Sequence, residues 1–283
     1  MPDHLCFPMF ARLEWHCAKS ARITAGINRF VHKPRIWWYA RKWQRQQIGA
    51  ALSHFEAKIY AQNGEDGILA EIFRRIGVGS GYAVECGIGD GTECCTRTLC
   101  TTHTWRGLLI EGCPALAAKA QRLYAAFSGV KVIYHFITVE TILDLFQDYQ
   151  VPDTPDLLVI DIDGNDYWVW ERILLRYRPR VVVMEYNARW VPPVQWVMPY
   201  NAQHRWDGSV FFGASLTSLA QLGALHGYVL VGCESWGINV FFVQQELLED
   251  RFPDAGYGVA HHYAPPRYVY GFGHPMRMPV SNT

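Results

Sequence analysis

Four groups of residues in this 283-residue chain have the types and spacing to do chemistry. The first is Glu85-Cys-Gly87-Ile-Gly89-Asp-Gly91, an acid followed by glycines at alternate positions, directly after the apolar run that starts at Tyr82. A glycine-rich turn after a strand lets the backbone approach a ligand with no side chain in the way. The second is Glu111, which closes another apolar run and can accept two ligand hydroxyls. The third is Asp161-Ile-Asp163-Gly-Asn-Asp166, with Glu185 and Asn187 ending the neighbouring run. Side chains two apart at a strand end point the same way, so Asp161 with Asp163, and Glu185 with Asn187, are expected to converge. Oxygen donors in this number suit Mg²⁺ or Mn²⁺, with Asp161, Glu185 and Asn187 as the ligand set. The competing reading has Asp163 and Asp166 capping the next helix and Glu185 only hydrogen-bonding. The fourth is His204, in an irregular tryptophan-rich stretch.

The elements that must hold these groups alternate. Apolar runs predict strands at 82–86, 107–110, 130–136, 157–160 and 180–184, separated by helices at about 92–101, 114–127, 139–148 and 167–175. An earlier helix follows Ala61-Gln-Asn-Gly-Glu-Asp-Gly67, whose density of polar residues points to a lining role, Gln62 included. After the loop 188–213 come a helix at 215–226 and strands at 228–233 and 240–243. The last two are joined by a short connection and so should pair antiparallel. The expected fold is an α/β, Rossmann-like, doubly wound, mostly parallel seven-stranded sheet with an antiparallel last strand and an N-terminal helical extension. In such sheets ligands bind outside the carboxyl ends of the strands, where Glu85, Glu111, Asp161 and Glu185 all fall.

The acids also say what the ligand is not. A dinucleotide fold reads G-x-G-x-x-G, and an acid beside its pyrophosphate would repel it. The order E-x-G-x-G-x-G suits a cofactor with a cationic end and no phosphate, such as S-adenosylmethionine with its ammonium and sulfonium.

In these motifs, and in the order of its elements over about residues 60–245, the chain resembles the class I S-adenosylmethionine-dependent methyltransferases. More narrowly it resembles the FkbM type, through AQNGEDG at 61–67, VECGIGDG at 84–91, LLIEG at 108–112, DLLVIDIDGNDYWVW at 156–170, VVVMEYN at 181–187 and GYVLVGCESWGINVFFV at 227–243. The resemblance implies a methyl donor held by Glu85, Gly87, Gly89 and Glu111, with Asp161 beside its methionine end and Gln62 among the cofactor-binding residues. It implies transfer to a hydroxyl oxygen of a sugar or other polyhydroxy acceptor, small molecule or glycan. Such transfer needs proton removal, for which Asp163, His204 and Glu185 are candidates. Asp161, Asp163 and His204 form the expected catalytic set. A bound metal would instead lower the acceptor's pKa. Trp190, Trp196 and Trp206 in the 188–213 loop are placed to stack on a flat acceptor face. Two other readings compete. Asp161-x-Asp163 suits a metal-dependent glycosyltransferase using a nucleotide sugar, against which Glu85 argues. A non-enzymatic scaffold on a degenerate fold is the third, against which the intact glycines and Glu111 argue.

Half the residues are hydrophobic, enough for a large core. The net charge is zero, so no nucleic-acid partner is expected. The balance is uneven: residues 1–50 carry nine Lys/Arg against two acids. The expected organisation is a basic helical extension over 1–55, a methyltransferase domain over 56–248 and a packed tail over 249–283. The extension, with aromatics and cations interleaved at 36–45, is expected to contact anionic lipid peripherally or pack on the domain or a second subunit. Eight cysteines without a C-x-x-C pair, and no apolar run of membrane-spanning length, point to reduced thiols in a cytoplasmic protein.

Overall fold

The structure is a computed structural model and describes residues 51–267. The expected basic extension, Cys6 and Cys17, and residues 268–283 of the tail lie outside the described residues. Seven strands form one sheet in the order β3-β2-β1-β4-β5-β7-β6. They are β1 (Tyr82–Cys86), β2 (Arg106–Glu111), β3 (Val130–Tyr134), β4 (Leu157–Ile160), β5 (Val181–Glu185), β6 (Tyr228–Cys233) and β7 (Asn239–Gln244). The first five pair in parallel. β7 enters between β5 and β6 and runs antiparallel to both. The central strands β1, β4 and β7 are buried along their whole length, which is why they read as continuous apolar runs.

Helices cover both faces. α1 (Glu65–Ile76), α2 (Arg97–Thr102) and α3 (Pro114–Tyr124) lie on one, and α4 (Ile142–Asp148), α5 (Asp166–Leu174) and α6 (Leu216–Leu225) on the other. Alternate residues of each strand feed the two cores. Val84, Leu108, Leu158 and Val182 pack with Phe146, Trp170 and Leu219, whereas Ala83, Leu157, Val159 and Val183 pack with Ile68, Ile72 and Leu99. A last short helix, α7 (Val259–His262), precedes Tyr263, whose hydroxyl donates to the Ala188 carbonyl at 2.7 Å.

The predicted helix over 92–101 forms only from Arg97. Residues 92–96 are irregular because the amides of Cys95 and Thr96, which a helix would direct along its axis, both turn to the Glu85 carboxylate. At α6, Ser215 is the N-cap, its hydroxyl accepting from the Ser218 amide.

The direction of strand order reverses between β1 and β4. There the two chains leave the sheet almost in contact: a Cβ on Gly87 would sit 1.6 Å from the carbonyl oxygen of Asp161. With φ of +86°, position 87 accepts only glycine on both counts. Such a switch point is where an open α/β sheet leaves a crevice.

Candidate functional site

A cleft of about 640 Å³ opens at this switch point, above the carboxyl ends of β1, β2, β4 and β5. That volume suits a nucleoside-sized ligand together with an acceptor group. Gly87, Gly89, Glu111, Asp161, Asp163 and Glu185 line its floor, Gln62 one side, and Arg189, His204, Arg205 and Trp206 the loop that covers it. Of the expected donor-binding, catalytic and metal residues, all but Glu85 and Asn187 therefore meet in one cavity.

The glycine turn is built in a way that bears directly on the ligand. The Gly87 amide donates to the Ile110 carbonyl at 2.9 Å, and the Gly91 amide to the Ile88 carbonyl at 3.0 Å. The Gly89 amide donates to Glu111 Oε2 at 2.7 Å, and Glu111 Oε1 accepts the Cys113 amide at 2.7 Å. All three glycine amides are thus engaged within the protein, and none is left to cradle a phosphate. A Cβ on Gly89, by contrast, would meet nothing within 4 Å, so the turn is open toward the cleft there. Glu111 stays fixed by its two amides and keeps lone pairs for a ligand's hydroxyls.

Glu85 corrects the sequence reading. It sits within β1, paired with Leu109 and Val159, and faces the α1–α2 side of the sheet rather than the cleft. Its carboxylate is buried and accepts the amides of Cys95 and Thr96 at 2.9 Å each, plus the Thr96 hydroxyl. Burial raises its pKa, and these donors oppose the rise. Glu85 therefore braces the turn that follows the glycines and does not line the cleft.

The polar segment 62–66 divides similarly. Asp66 accepts the amides of Ile59, Tyr60 and Ala61 and the hydroxyl of Thr98, while Glu65 accepts from Asn63 and from Asn239 Nδ2. Both are buried scaffolding, and only Gln62 of this cluster reaches the cleft.

At the far end of the floor, one carboxylate oxygen each from Asp161, Asp163 and Glu185 lie within 4.8 Å of one another. Burial first, and the neighbouring acids second, push the carboxyls of Asp161 and Glu185 well above the usual range, and the two hydrogen-bond to each other. Glu185 Oε2 is buried without a hydrogen-bond partner. Such a donor set fits either a proton between the carboxyls or a hard divalent cation.

Asn187 is the second correction. It is fully buried, and its Nδ2 donates to the carbonyls of Val210 and Phe212 at 2.9 and 3.0 Å. The chain has already turned away from the sheet, with the Asn187 amide on the Ala214 carbonyl, so the period-two rule no longer applies. Asn187 ties down the covering loop, and Asp163 takes its place among the clustered oxygens. Asp166 does not cap the helix it begins: its carboxylate accepts the amides of Ile162 and Gly164, in the preceding turn, at 2.8 Å each, and the N-cap Asn165 makes no side-chain cap bond.

His204 rests on Gly164, where a Cβ would lie 2.3 Å from its ring, and its Nε2 is 3.1 Å from the Asp163 carbonyl. With Nε2 donating there, Nδ1 is the nitrogen able to accept a proton. Of the three loop tryptophans only Trp206 lines the cleft; Trp190 and Trp196 stack on each other at 5.0 Å. The sequence reading gave no site role to His135, Phe136, Ile137, Arg189 or Arg205, although all line the cavity. Asn165 is bonded to Asn201 in both directions, its Nδ2 to the Asn201 carbonyl at 2.8 Å and its Oδ1 from the Asn201 amide at 3.2 Å, which holds the loop down.

The six described cysteines are all free. Among the described residues no helix is long and apolar enough to cross a membrane.

The chain matches no protein-family model and no curated protein sequence. Solved structures similar to it include the CMeT domain of the citrinin polyketide synthase, 13% identical with a TM-score of 0.43 over 66% of this chain and 54% of that one. The chain thus spans about half the length of that structure. Precorrin-6y C5,15-methyltransferase from Geobacter metallireducens GS-15 is 16% identical with a TM-score of 0.39, over 71% of this chain and 96% of that chain. The N-terminal domain of EvdMO1, determined in the presence of SAH and D-fucose, is 11% identical with a TM-score of 0.41, over 74% and 96%. At these values the likeness carries no functional weight beyond the fold, which the sheet order of this chain already gives.

Proposed function

We propose that the chain is an S-adenosylmethionine-dependent methyltransferase of the FkbM type, acting on a hydroxyl oxygen of a sugar or other polyhydroxy acceptor. The observation that carries the reading is the floor of the cleft. Its glycine amides are all occupied, and Glu111, Asp161, Asp163 and Glu185 make it acidic. A diphosphate donor would meet repulsion and no amide cradle, which disfavours the nucleotide-sugar alternative. A phosphate-free nucleoside with a cationic tail meets complementary charge along the same floor.

In this reading Glu111 accepts the ribose hydroxyls, Gly89 allows close approach, and Gln62 and Asp161 face the methionine end. S-adenosylmethionine supplies an electrophilic methyl on a sulfonium. The acceptor oxygen forms the new C–O bond as the C–S bond breaks, and the sulfur keeps the electron pair as a neutral thioether. The hydroxyl proton passes to His204 Nδ1 or to Asp163. The loop anchored by Asn165 and Asn187 aligns the acceptor and excludes water. A second arrangement is favoured by the partnerless Glu185 Oε2: Asp161, Asp163 and Glu185 would hold Mg²⁺ or Mn²⁺, which acidifies the acceptor hydroxyl.

The test is incubation of the full-length protein with methyl-labelled S-adenosylmethionine and fractionated extract, with and without chelator. Label released from the product by reagents that cleave ethers supports oxygen transfer. Label fixed on carbon or nitrogen sinks it, and loss of activity with chelator selects the metal arrangement.

A further inference from the structure

The covering loop carries charge opposite to the floor. Arg189 and Arg205 both line the cleft, alongside His204. Arg189 is partly buried, and among the described residues neither arginine has an ion-pair partner within 4 Å, although the acids of the floor share the same cavity. Arg205 is exposed, and neither guanidinium is spent on a carboxylate, so both are available to an anion entering the cleft. The Arg205 guanidinium lies 4.4 Å from the centre of the Phe136 ring, a cation–π contact. Both arginines come from the loop after β5. The donor's glycine turn and Glu111 belong to β1 and β2.

We propose that Arg189 and Arg205 form an anion-recognition wall and that the acceptor carries a carboxylate or phosphate group beside the hydroxyl that is methylated. The proposal rests on the methyltransferase reading for the word acceptor, but the wall itself does not depend on it. The acidic floor takes the cationic donor, and the basic loop takes an anionic acceptor.

The experiment titrates the full-length protein with D-glucuronate, D-glucose 6-phosphate and D-glucose, with and without saturating S-adenosylhomocysteine, following arginine Nε–H signals by NMR. One or both anionic sugars should bind and shift two arginine signals, while glucose does not. Whether the carboxylate or the phosphate arm responds identifies the anion. Arg189→Gln/Arg205→Gln should weaken anion binding about tenfold or more and leave S-adenosylhomocysteine affinity unchanged. The variant's thermal melt and the charge-retaining Arg189→Lys/Arg205→Lys variant separate recognition from misfolding. The proposal is overturned if no anionic sugar binds, if glucose binds as well as the anions, or if the double glutamine variant keeps anion affinity. If anions bind through the arginines but S-adenosylhomocysteine does not bind at all, the wall stands and the methyl-donor reading falls.

Discussion

Replacing Glu85 by glutamine separates two roles that the sequence alone confuses. If Glu85 contacted the donor, Glu85→Gln would weaken donor binding and spare the fold. The structure predicts the reverse. The carboxylate is buried and accepts two backbone amides and one hydroxyl from Cys95 and Thr96. Glutamine keeps one oxygen for one amide and turns its own NH₂ toward the other, leaving a buried donor facing a donor. A lost bond to a charged acceptor costs about 1.5–3 kcal/mol, and an unsatisfied buried amide about 1–3 kcal/mol. Because burial already opposes ionisation of Glu85, removing the charge recovers part of this, and a net loss of about 2–3 kcal/mol is expected. For a domain of this size that is a fall in Tm of roughly 5–10 °C. Calorimetric melting gives the stability change, and isothermal titration with S-adenosylhomocysteine gives the affinity, expected to move less than about tenfold. A Thr96→Val change should be strongly non-additive with Glu85→Gln. A variant that melts like the wild type but no longer binds S-adenosylhomocysteine would refute the bracing role.

Other expected outcomes follow from the same geometry. Glu111→Ala removes the acceptor of the Gly89 and Cys113 amides and should lower S-adenosylhomocysteine affinity by about tenfold to a hundredfold; unchanged affinity by titration would exclude Glu111 from the ribose. Asp161 and Glu185 hold protons more tightly folded than unfolded. Their contribution is therefore full below the ordinary carboxylate range and is lost as pH rises through their raised folded values. Glu185→Gln should flatten that decline in a urea-denaturation series across pH, and an unaltered slope would show that the pair is not the source. Where a cation occupies the three carboxylates, Mg²⁺ or Mn²⁺ should raise the wild-type Tm above neutral pH and not that of Glu185→Gln; equal shifts in both proteins would remove the metal arrangement. Asn187→Ala leaves the Val210 and Phe212 carbonyls without the side-chain donor they now have. Loop cleavage in limited proteolysis should accelerate several-fold, and no change would mean that the loop is held elsewhere.

The sheet was legible because its strands are buried on both faces and so appear as short apolar runs bounded by turns. Their ends were legible too, since acids or glycines interrupt those runs at Glu111, Asp161 and Glu185. The errors came from treating every strand-end acid alike. Glu85 lies one residue inside β1, and its parity with Ala83 places it on the α1–α2 face; counting that parity would have separated it from Glu111. Asn187 lies beyond the strand, where the chain turns and alternation fails. Arg189 and Arg205 had no local signal, because their presence in the cleft depends on loop anchoring by Asn165, Asn187 and Ser215, contacts made across 19 to 36 positions of sequence. The tryptophans misled for a related reason: aromatic density predicts burial, and Trp190 and Trp196 satisfy it by stacking on each other.

The central claim is that the crevice between β1 and β4 binds a phosphate-free, cationic adenosyl donor. Isothermal titration of the full-length protein with S-adenosylhomocysteine and, separately, with a panel of nucleotide diphosphate sugars in the presence of Mn²⁺ tests it most directly. The account predicts one-to-one binding of S-adenosylhomocysteine, lost in Glu111→Ala, and no heat with the nucleotide sugars. Binding of a nucleotide sugar with none of S-adenosylhomocysteine would contradict it.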